Sequence, residues 1–447
     1  MSIRELPASI GQRVLWQMDH HRGGHGALNC PLLIRLRGPL DPDALQAAVD
    51  GVARRHESLR TTFTGRGPRL RQLVHDARAL EIMAVDLADH EAAHAEVDGR
   101  IASEVQARTD PEEEPVRVTL WRLGGEDHVL CLTMHHLVTD GFSTALVCDE
   151  LGRLYDRILA GGPPLDPVGW QYREWMVWQQ EQLTGESLRR LQDYWRERLT
   201  GALLPPLPRR DSEVPLLERR TAVQRATIPG GAVRALQRFA RARGTAAFTC
   251  LLAIYYALLS SRFGAGDFSV GSIFANRVRR EAQSTVGFLS NMVVLRMRAD
   301  PSMTLAELVA AADEAVIGAF AHQALPFQML PLHTLDPGSM RADSVVFQLF
   351  AGPMAPAVRA GLQFEPVIDV PAGIGSRWEF ELSAFPAGDE LSLLLCFAED
   401  LYDPEWARAF LDAYVELAVR AAAAPSAPPG GQRPGRPRAP RPALARE

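Results

Sequence analysis

Apolar residues recur along the first part of the chain at two spacings, which predict an alternation of helices and strands. Apolar positions three or four residues apart predict an amphipathic helix from Asp41 to His56. The segment from His128 to Met134 is rich in strand-forming residues and predicts a strand that leads directly into two histidines. Beyond Gly141 the spacing becomes helical again, with one apolar stripe from Val147 to Ile158. The pattern therefore predicts a strand-to-helix junction at the polar residues in between.

The same alternation continues through the rest of the chain. The remaining predicted helices cover 9–16, 172–195, 232–243, 245–262, 305–322 and 404–422, and the remaining predicted strands cover 32–36, 268–274, 345–350 and 391–397. Helices and strands that alternate along a chain are typical of α/β folds. The pattern therefore predicts an α/β protein built from two similar-sized halves.

Changes in composition predict where the units of the chain begin and end. We expect a first unit at 1–180 and a second at 181–424. The stretch from Leu203 to Arg220 is rich in proline and charge, and we interpret it as the connection between the two halves. The segment 425–447 is rich in Pro, Gly and Arg and has almost nothing apolar to bury, so we expect a disordered tail.

Length, composition and charge exclude several classes of protein. The 447 residues suit two domains, and the 47% hydrophobic and 23% charged residues are typical of a soluble globular protein. A net charge of −6 argues against a nucleic-acid partner, which usually requires a basic protein. No apolar run reaches the roughly 18 residues of a membrane span, and the N-terminus has no apolar signal core. We therefore expect a cytoplasmic protein with neither a nucleic-acid nor a membrane partner.

Cysteine and lysine usage narrows the chemistry further. The five cysteines are an odd number with no close pair, so we expect free buried thiols rather than disulfides or a metal site. All 48 basic residues are arginines, and without lysine there is neither Schiff-base chemistry nor a phosphate-loop lysine. The chain also has no G-x-G-x-x-G motif after a strand, which gives dinucleotide binding no support.

The polar residues at the strand-to-helix junction form the string H-H-x-x-x-D-G. Side chains alternate faces along a strand, so His135 and His136 are predicted to point in opposite directions. That geometry argues against a metal held by both imidazoles, and it suits one histidine in a substrate channel with the other packed internally. The structural alternative is that Asp140 caps the following helix and Gly141 permits the turn.

This string is also the signature of the condensation-domain family of nonribosomal peptide synthetases, which the chain resembles. Segments similar to other motifs of the family follow one another in order at 6–16, 55–63, 172–179, 286–296, 322–327 and 346–348. Four positions depart from the pattern. Ala324 and Gln328 stand where acidic residues are common, Asn276 replaces a usual glycine, and Phe142 stands where tryptophan is frequent. None of these four departures removes a group to which the resemblance assigns a chemical role.

The resemblance implies a fold and a place for the active site. Members of the family are similar to chloramphenicol acetyltransferase, so we expect two acetyltransferase-like subdomains in a V-shaped pseudo-dimer. The active site would lie at the interface between them.

The resemblance also assigns roles to the residues of the string. His136, which matches the family's second histidine, would face the channel and act as a general base or as a positioning group. The backbone N–H of Gly141 would stabilise the oxyanion at the helix start. Asp140 would pair with Arg277 from the second half to hold the loop, and His135 would pack and donate or accept hydrogen bonds. No metal is expected.

The implied reaction transfers an acyl or aminoacyl group from a thioester to an amine or a hydroxyl, forming an amide or an ester in natural-product and antibiotic biosynthesis. The donor would be an acyl-loaded peptidyl carrier protein that supplies its own phosphopantetheine arm, so no bound cofactor is expected. A small-molecule acceptor would be the second substrate. The chain lacks the G-x-S-x-G motif of a covalent serine enzyme, so direct transfer is expected.

Several alternatives stay open at this point. The chain ends soon after its last predicted helix, and we expect a free-standing enzyme; free-standing relatives include ester-forming members such as those that act on an enediyne core. A coenzyme A-dependent acyltransferase and a catalytically silent carrier-recruiting domain are the competing hypotheses. Epimerisation domains share the string, but their additional motifs are not visible here. Heterocyclising members have aspartates in place of the two histidines and are excluded.

Overall fold

The computed structural model describes residues 3–21, 26–76, 78–90, 93–214, 219–330, 344–350, 355–367 and 378–429. The strands in these ranges are β1 (Ile3–Pro7), β2 (Asn29–Arg37), β3 (Thr61–Thr64), β4 (Arg71–His75), β5 (Ile82–Asp86), β6 (Val116–Gly124), β7 (Asp127–His135), β8 (Thr221–Ile228), β9 (Gly266–Phe274), β10 (Asn291–Ala299), β11 (Val345–Leu349), β12 (Ala357–Arg359), β13 (Leu362–Val367), β14 (Phe380–Ala387) and β15 (Glu390–Ala398). The predicted disordered tail lies outside them from residue 430 on.

The helices alternate with these strands, as the apolar spacing predicts. They are α1 (Ile10–His21), α2 (Pro42–Arg55), α3 (Ala93–Gln106), α4 (Gly141–Leu159), α5 (Tyr172–Gln182), α6 (Gly185–Leu199), α7 (Gly230–Ala242), α8 (Ala247–Phe263), α9 (Leu305–Ala321) and α10 (Pro404–Ala423). Each helix and strand predicted from the apolar spacing is present, with ends shifted by a few residues. All five cysteines are free thiols.

The strands form two six-stranded sheets and one small sheet. The first large sheet has the order β12-β13-β2-β7-β6-β5, and the second has the order β10-β9-β11-β14-β15-β8. The small sheet has the order β1-β4-β3. Strand β7 lies between β2 and β6 and pairs antiparallel with both, so its last residue is fixed from both sides.

Each large sheet has its own hydrophobic core. In the first sheet, Leu130, Leu132 and Met134 of β7 face a core shared with α2 and α4. Their neighbours Val129 and Cys131 face the opposite side, where α3 packs. The second core lies between one face of the second sheet and helices α6 to α10. Both halves are therefore layered α/β units, as the pattern predicts.

One element crosses between the halves, which the apolar spacing did not predict. Strand β13 comes late in the chain, but it pairs antiparallel with β2 of the first sheet, with Gln363 opposite Arg37. Phe364 of β13 is 4% exposed and its ring lies 5.7 Å from that of Tyr155 on α4. The second half of the sequence thus completes the first sheet, and the predicted boundaries at 1–180 and 181–424 stay predictions.

The stretch from Leu203 to Arg220 was wrongly interpreted as the connection between the halves. Leu203 bridges to Phe268 of β9, and Leu207 is buried in the second core. Arg210 forms an ion pair of 2.5 Å with Asp403 at the start of α10. Proline and charge made this stretch resemble a solvent-exposed linker, but the buried Leu207 docks its first part onto the second half.

No helix in the described ranges is by itself long and apolar enough to cross a membrane. Helices α7 and α8 meet the length and composition criteria only when taken together, and they are bent by 109° relative to each other.

The crossing of β13 generates a testable prediction. Phe364→Ala removes a ring from the first core and should lower the free energy of unfolding by about 3–5 kcal/mol. Val358→Ala on β12, where the side chain is 66% exposed, is the control and should change it little. Denaturant unfolding followed by circular dichroism measures both. Equal effects of the two substitutions would contradict the packing of β13 into the first core.

Candidate active site

The two histidines of the string separate at the end of β7. His135 is the last residue of the strand and is 1% exposed, whereas His136 is half-buried. The backbone N–H of His136 donates to the carbonyl of Leu28 at 2.8 Å, which fixes the chain as it leaves the strand. The structure therefore gives the two imidazoles the different surroundings that strand alternation predicts.

The His136 ring is oriented by one hydrogen bond and one aromatic contact. Its Nδ1 lies 2.7 Å from the carbonyl oxygen of Thr139, in the turn that follows. Because a carbonyl only accepts hydrogen bonds, Nδ1 carries the proton and Nε2 of the neutral ring keeps its lone pair. The ring of Phe288 meets the imidazole edge-on, with centroids 4.9 Å apart. The Nε2 atom is thus the basic atom of this histidine.

His135 is held inside the first half. Its Nδ1 accepts from the backbone N–H of Leu137 at 3.1 Å, and its Nε2 lies 3.7 Å from a carboxylate oxygen of Asp19. Burial alone would raise the pKa of Asp19, but interactions with His135 and Arg108 lower it below its ordinary value. His135 therefore sits in a buried polar cluster behind the strand, away from the half-buried face that carries His136.

Asp140 is fully buried, and its carboxylate accepts five hydrogen bonds. The backbone N–H of Ser143 donates at 2.7 Å, so Asp140 is the N-cap of α4. The guanidinium of Arg277 donates to both carboxylate oxygens, at 3.1 and 3.2 Å. The backbone N–H groups of Leu289 and Ser290 donate at 3.0 and 2.8 Å. Three of these four partners belong to the second half of the chain.

Arg277 is as deeply buried as its partner, with 3% of its side chain exposed. It also donates to the hydroxyl of Ser143 at 2.7 Å and to the carbonyl of Thr285 at 3.1 Å, and its guanidinium lies 4.6 Å from the ring centroid of Phe142. Burial alone would raise the pKa of Asp140, but the charge and hydrogen bonds of Arg277 lower it overall. Asp140 and Arg277 therefore form an ionised pair that is held by the surrounding protein and has a structural role.

The segment 285–290 of the second half closes around this pair. The Ser143 hydroxyl donates to the carbonyl of Gly287 at 2.9 Å and lies 3.1 Å from its N–H. Gly287 has φ +156°, and a Cβ atom there would lie 2.4 Å from the ring of Tyr172. The Tyr172 hydroxyl lies 3.1 Å from the carbonyl of Phe288 and 3.0 Å from the hydroxyl of Ser9. This packing places Phe288 beside His136.

Gly141 is the first residue of α4, directly after the buried carboxylate. The first N–H groups of a helix have no partner within the helix, and the helix dipole favours negative charge near them. A Cβ atom at position 141 would lie 3.1 Å from the ring of Phe350 in the second half. A side chain at this position would need the ring of Phe350 to shift by a few tenths of an ångström, so glycine favours the close approach of the two halves in addition to its role in the turn.

Other residues from the motif-like segments lie outside this centre. Asn291 donates to the carbonyls of Gln323 and Leu325 at 2.8 and 2.6 Å, and His322 stacks on Tyr194 with centroids 3.7 Å apart. These contacts, and those of Arg60 with Glu57 and with the carbonyl of His75, stay within one half. These side chains therefore hold loops within each half.

Asn276, which departs from the family pattern, has a backbone explanation. Its φ is +53°, in the left-handed region that glycine adopts freely and asparagine tolerates better than most residues. The substitution therefore keeps the turn that leads into Arg277.

Sequence reasoning missed four contributors to the site: Thr139, Ser143, Phe288 and Phe350. Thr139 contributes its backbone carbonyl, and Ser143 contributes contacts between the two halves. Neither contribution can be recognised from a pattern of residues. Phe288 lies inside one of the motif-like segments, and its aromatic ring could have singled it out. Phe350 follows the segment 346–348 by two residues, and only the tertiary structure brings it to Gly141.

A model of the Condensation domain family matches residues 2–430 of the chain. The chain belongs to the condensation-domain family. Among its relatives, cyclosporin synthetase simA of Tolypocladium inflatum is 31% identical over 431 residues, which are 94% of this chain and 3% of that synthetase. The probable non-canonical nonribosomal peptide synthetase CymA of Salinispora arenicola is 32% identical over 448 residues, covering 95% of this chain and 6% of CymA. The chain thus spans a small part of the length of these relatives.

Solved structures agree with the fold. A mutant of the starter condensation domain of rhizomide synthetase RzmA, in complex with C8-CoA, has a TM-score of 0.84 at 17% identity, covering 96% of this chain and 97% of that one. The X-domain from teicoplanin biosynthesis has a TM-score of 0.79 at 24% identity, covering 94% and 95%. The predicted α/β fold with two acetyltransferase-like subdomains is confirmed for this condensation domain.

The buried pair generates a prediction about stability. Asp140→Ala or Arg277→Ala leaves one buried charge without its partner and should cost about 3–5 kcal/mol of unfolding free energy. The double variant should lose less than the sum of the two single losses, because no unpaired charge is left in it. Thermal and denaturant unfolding measure these changes.

A matched control is the exposed pair of Arg408 and Asp412 on α10, at 2.7 Å. Asp412→Ala should change stability by no more than about 1 kcal/mol. A normal melting curve for Asp140→Ala, or losses that simply add in the double variant, would contradict the coupling of the buried pair.

Proposed function

We propose that this condensation domain transfers an acyl or aminoacyl group from a carrier-protein phosphopantetheine thioester to the amine or hydroxyl of a small-molecule acceptor. The observation that carries the proposal is the geometry of His136. Its Nδ1–H is committed to the Thr139 carbonyl, so the lone pair of Nε2 is left on the half-buried face, beside the start of α4. An imidazole in this state can accept the proton of an attacking amine or hydroxyl.

The reaction needs one bond to form and one to break. The acceptor nitrogen or oxygen attacks the thioester carbonyl carbon, and the proton of the acceptor passes to Nε2 of His136. The tetrahedral intermediate then collapses, the carbon–sulfur bond breaks, and the proton on Nε2 passes to the sulfur, so that the carrier arm leaves as a thiol. His136 serves as the base or orients the acceptor, and it ends the cycle in its starting state.

Negative charge develops on the carbonyl oxygen during this attack. The N-terminus of α4 at Gly141 offers a backbone N–H without an intrahelical partner and the positive end of a helix dipole. Preorganised donors of this kind are effective because they need not reorient during the reaction. We assign oxyanion stabilisation to this backbone, and the absence of a Cβ atom at Gly141 lets a substrate oxygen approach.

Asp140, Arg277 and His135 are assigned structural roles at the active site. The five hydrogen bonds to Asp140 leave no lone pair of that carboxylate directed to a substrate, and His135 is 1% exposed. The phosphopantetheine arm belongs to the partner carrier, so the chain itself needs no resident cofactor for the proposed reaction. That the enzyme acts as a free-standing partner of a separate carrier stays a prediction.

The proposal is tested by transfer from a loaded carrier. The protein is incubated with an acyl-loaded peptidyl carrier protein and a panel of amines and alcohols, and products are identified by mass spectrometry. We expect amide or ester products with the loaded carrier and much slower transfer from the same acyl group on coenzyme A. Equal rates from coenzyme A would favour a carrier-independent acyltransferase. Absence of product from every donor would favour a silent carrier-recruiting domain.

The role of His136 is tested by its removal. His136→Ala should lower kcat about 10²- to 10⁴-fold, because the proton acceptor is lost, and should leave the thermal unfolding midpoint near that of the unmodified protein. His94→Ala is the matched control, since His94 lies on α3 with 70% of its side chain exposed. Turnover of His136→Ala equal to that of the control would remove His136 from the mechanism.

A further inference from the structure

Two phenylalanine rings stack on the face of the second sheet that is turned away from its helices. Phe350 follows β11 and Phe385 lies on β14, and their rings are nearly parallel, at 2° and 4.8 Å between centroids. The backbone N–H of Phe350 donates to the carbonyl of Ala384 at 2.9 Å, which extends the parallel pairing of β11 and β14 by one residue. The stack is therefore positioned by regular strand geometry.

This stack lies directly at the start of α4. The ring of Phe350 is the group that a Cβ atom on Gly141 would meet at 3.1 Å. One edge of the stack thus borders the backbone to which we assign the oxyanion, and Phe288 borders His136 nearby at 4.9 Å. Phe288 and Phe350 thus border the segment 136–141 at its two ends.

The two rings are not core residues. Strand alternation sends Phe347 and Ala384 into the second hydrophobic core, and the opposite face carries Phe350 and Phe385. Both rings are half-buried, and neither belongs to a hydrophobic cluster formed by the described residues. Large apolar side chains that are neither in a core nor scattered singly mark a binding surface more often than a structural one.

One step back along the same face the side chains are polar, and Gln348 and Ser383 are buried, at 5% and 4% exposed. Gln348 donates to the hydroxyl of Ser383 at 3.2 Å, and Ser383 donates to Glu381 at 2.7 Å. Gln348 and Ser383 are two residues before the aromatic ones on their strands, at about 7 Å. The stacked rings therefore form a bounded apolar wall between the polar row and Gly141.

We propose that Phe350 and Phe385 form a recognition wall for a planar aromatic ring on one of the two substrates. This inference rests on the proposed acyl transfer, and it adds to that function the class of substrate. Aromatic faces favour offset-stacked or edge-to-face partners over saturated rings of the same size. The wall would hold the ring of a donor acyl group or of an acceptor beside the reacting carbonyl and so favour aromatic substrates.

The test measures binding, so that it does not require turnover. Isothermal titration compares phenylacetyl with cyclohexylacetyl pantetheine amides as donor probes, and benzylamine with cyclohexylmethylamine as acceptor probes. In the unmodified protein we expect the aromatic member of one pair to bind about 3- to 10-fold more tightly. The pair that shows the preference identifies whether the ring belongs to the donor or to the acceptor.

Phe385→Leu should abolish this preference, so that both members of the probe pair bind about equally. The reason is that the stack is lost while an apolar side chain of similar volume is retained. Phe385→Tyr keeps an aromatic face and should keep the preference, which separates recognition from a folding defect. Phe239→Leu is the matched control on α7, where the ring is covered by the guanidinium of Arg243 at 3.7 Å. It should leave the ratio unchanged.

The outcomes separate this inference from the proposed function. Equal affinities within both probe pairs, no binding of any aromatic probe, or a preference that survives Phe385→Leu would each overturn the aromatic wall, even if acyl transfer is observed. A preference that disappears only in Phe385→Leu supports the wall whether or not the carrier assay yields a product.

Discussion

A buried carboxylate needs enough donors to replace the water that it loses, and Asp140 obtains them from both halves of the molecule. One comes from the first turn of α4, and four come from Arg277, Leu289 and Ser290 in the second half. The charge is satisfied only when the two halves meet in one relative position. The carboxylate therefore couples the helix start, where the chemistry is proposed, to the closure of the interface.

The same constraint explains why Asp140 and His136 do not act on each other. Four of the carboxylate's hydrogen bonds come from the second half and the fifth caps α4, and the imidazole is oriented by the Thr139 carbonyl instead. A carbonyl fixes the tautomer without adding a charge next to the ring. The turn between β7 and α4 thus contains two fixed features within six residues: an oriented imidazole in its first part and a fixed helix terminus in its last.

The local part of this arrangement could be predicted from the sequence, because it depends on periodicity. Strand spacing predicted β7, helical spacing predicted α4, and alternation separated His135 from His136. The tertiary part could not be predicted in this way. The strand that holds Leu362 and Phe364 was not predicted, and alternation along a strand in any case contains no information on which sheet that strand joins. For the same reason the sequence pattern around Phe350 does not indicate its contact with Gly141.

The two kinds of contact at Gly141 differ in how easily each can change. The Asp140 network is made of directional hydrogen bonds to a buried charge, so a substitution in it leaves donors or acceptors unsatisfied. Phe350 and Phe385 contact their surroundings through dispersion and ring stacking, which tolerate a change of shape at smaller cost. A fold that fixes its reacting groups with the first kind of contact and its substrate walls with the second can alter what it accepts while its chemistry stays in place.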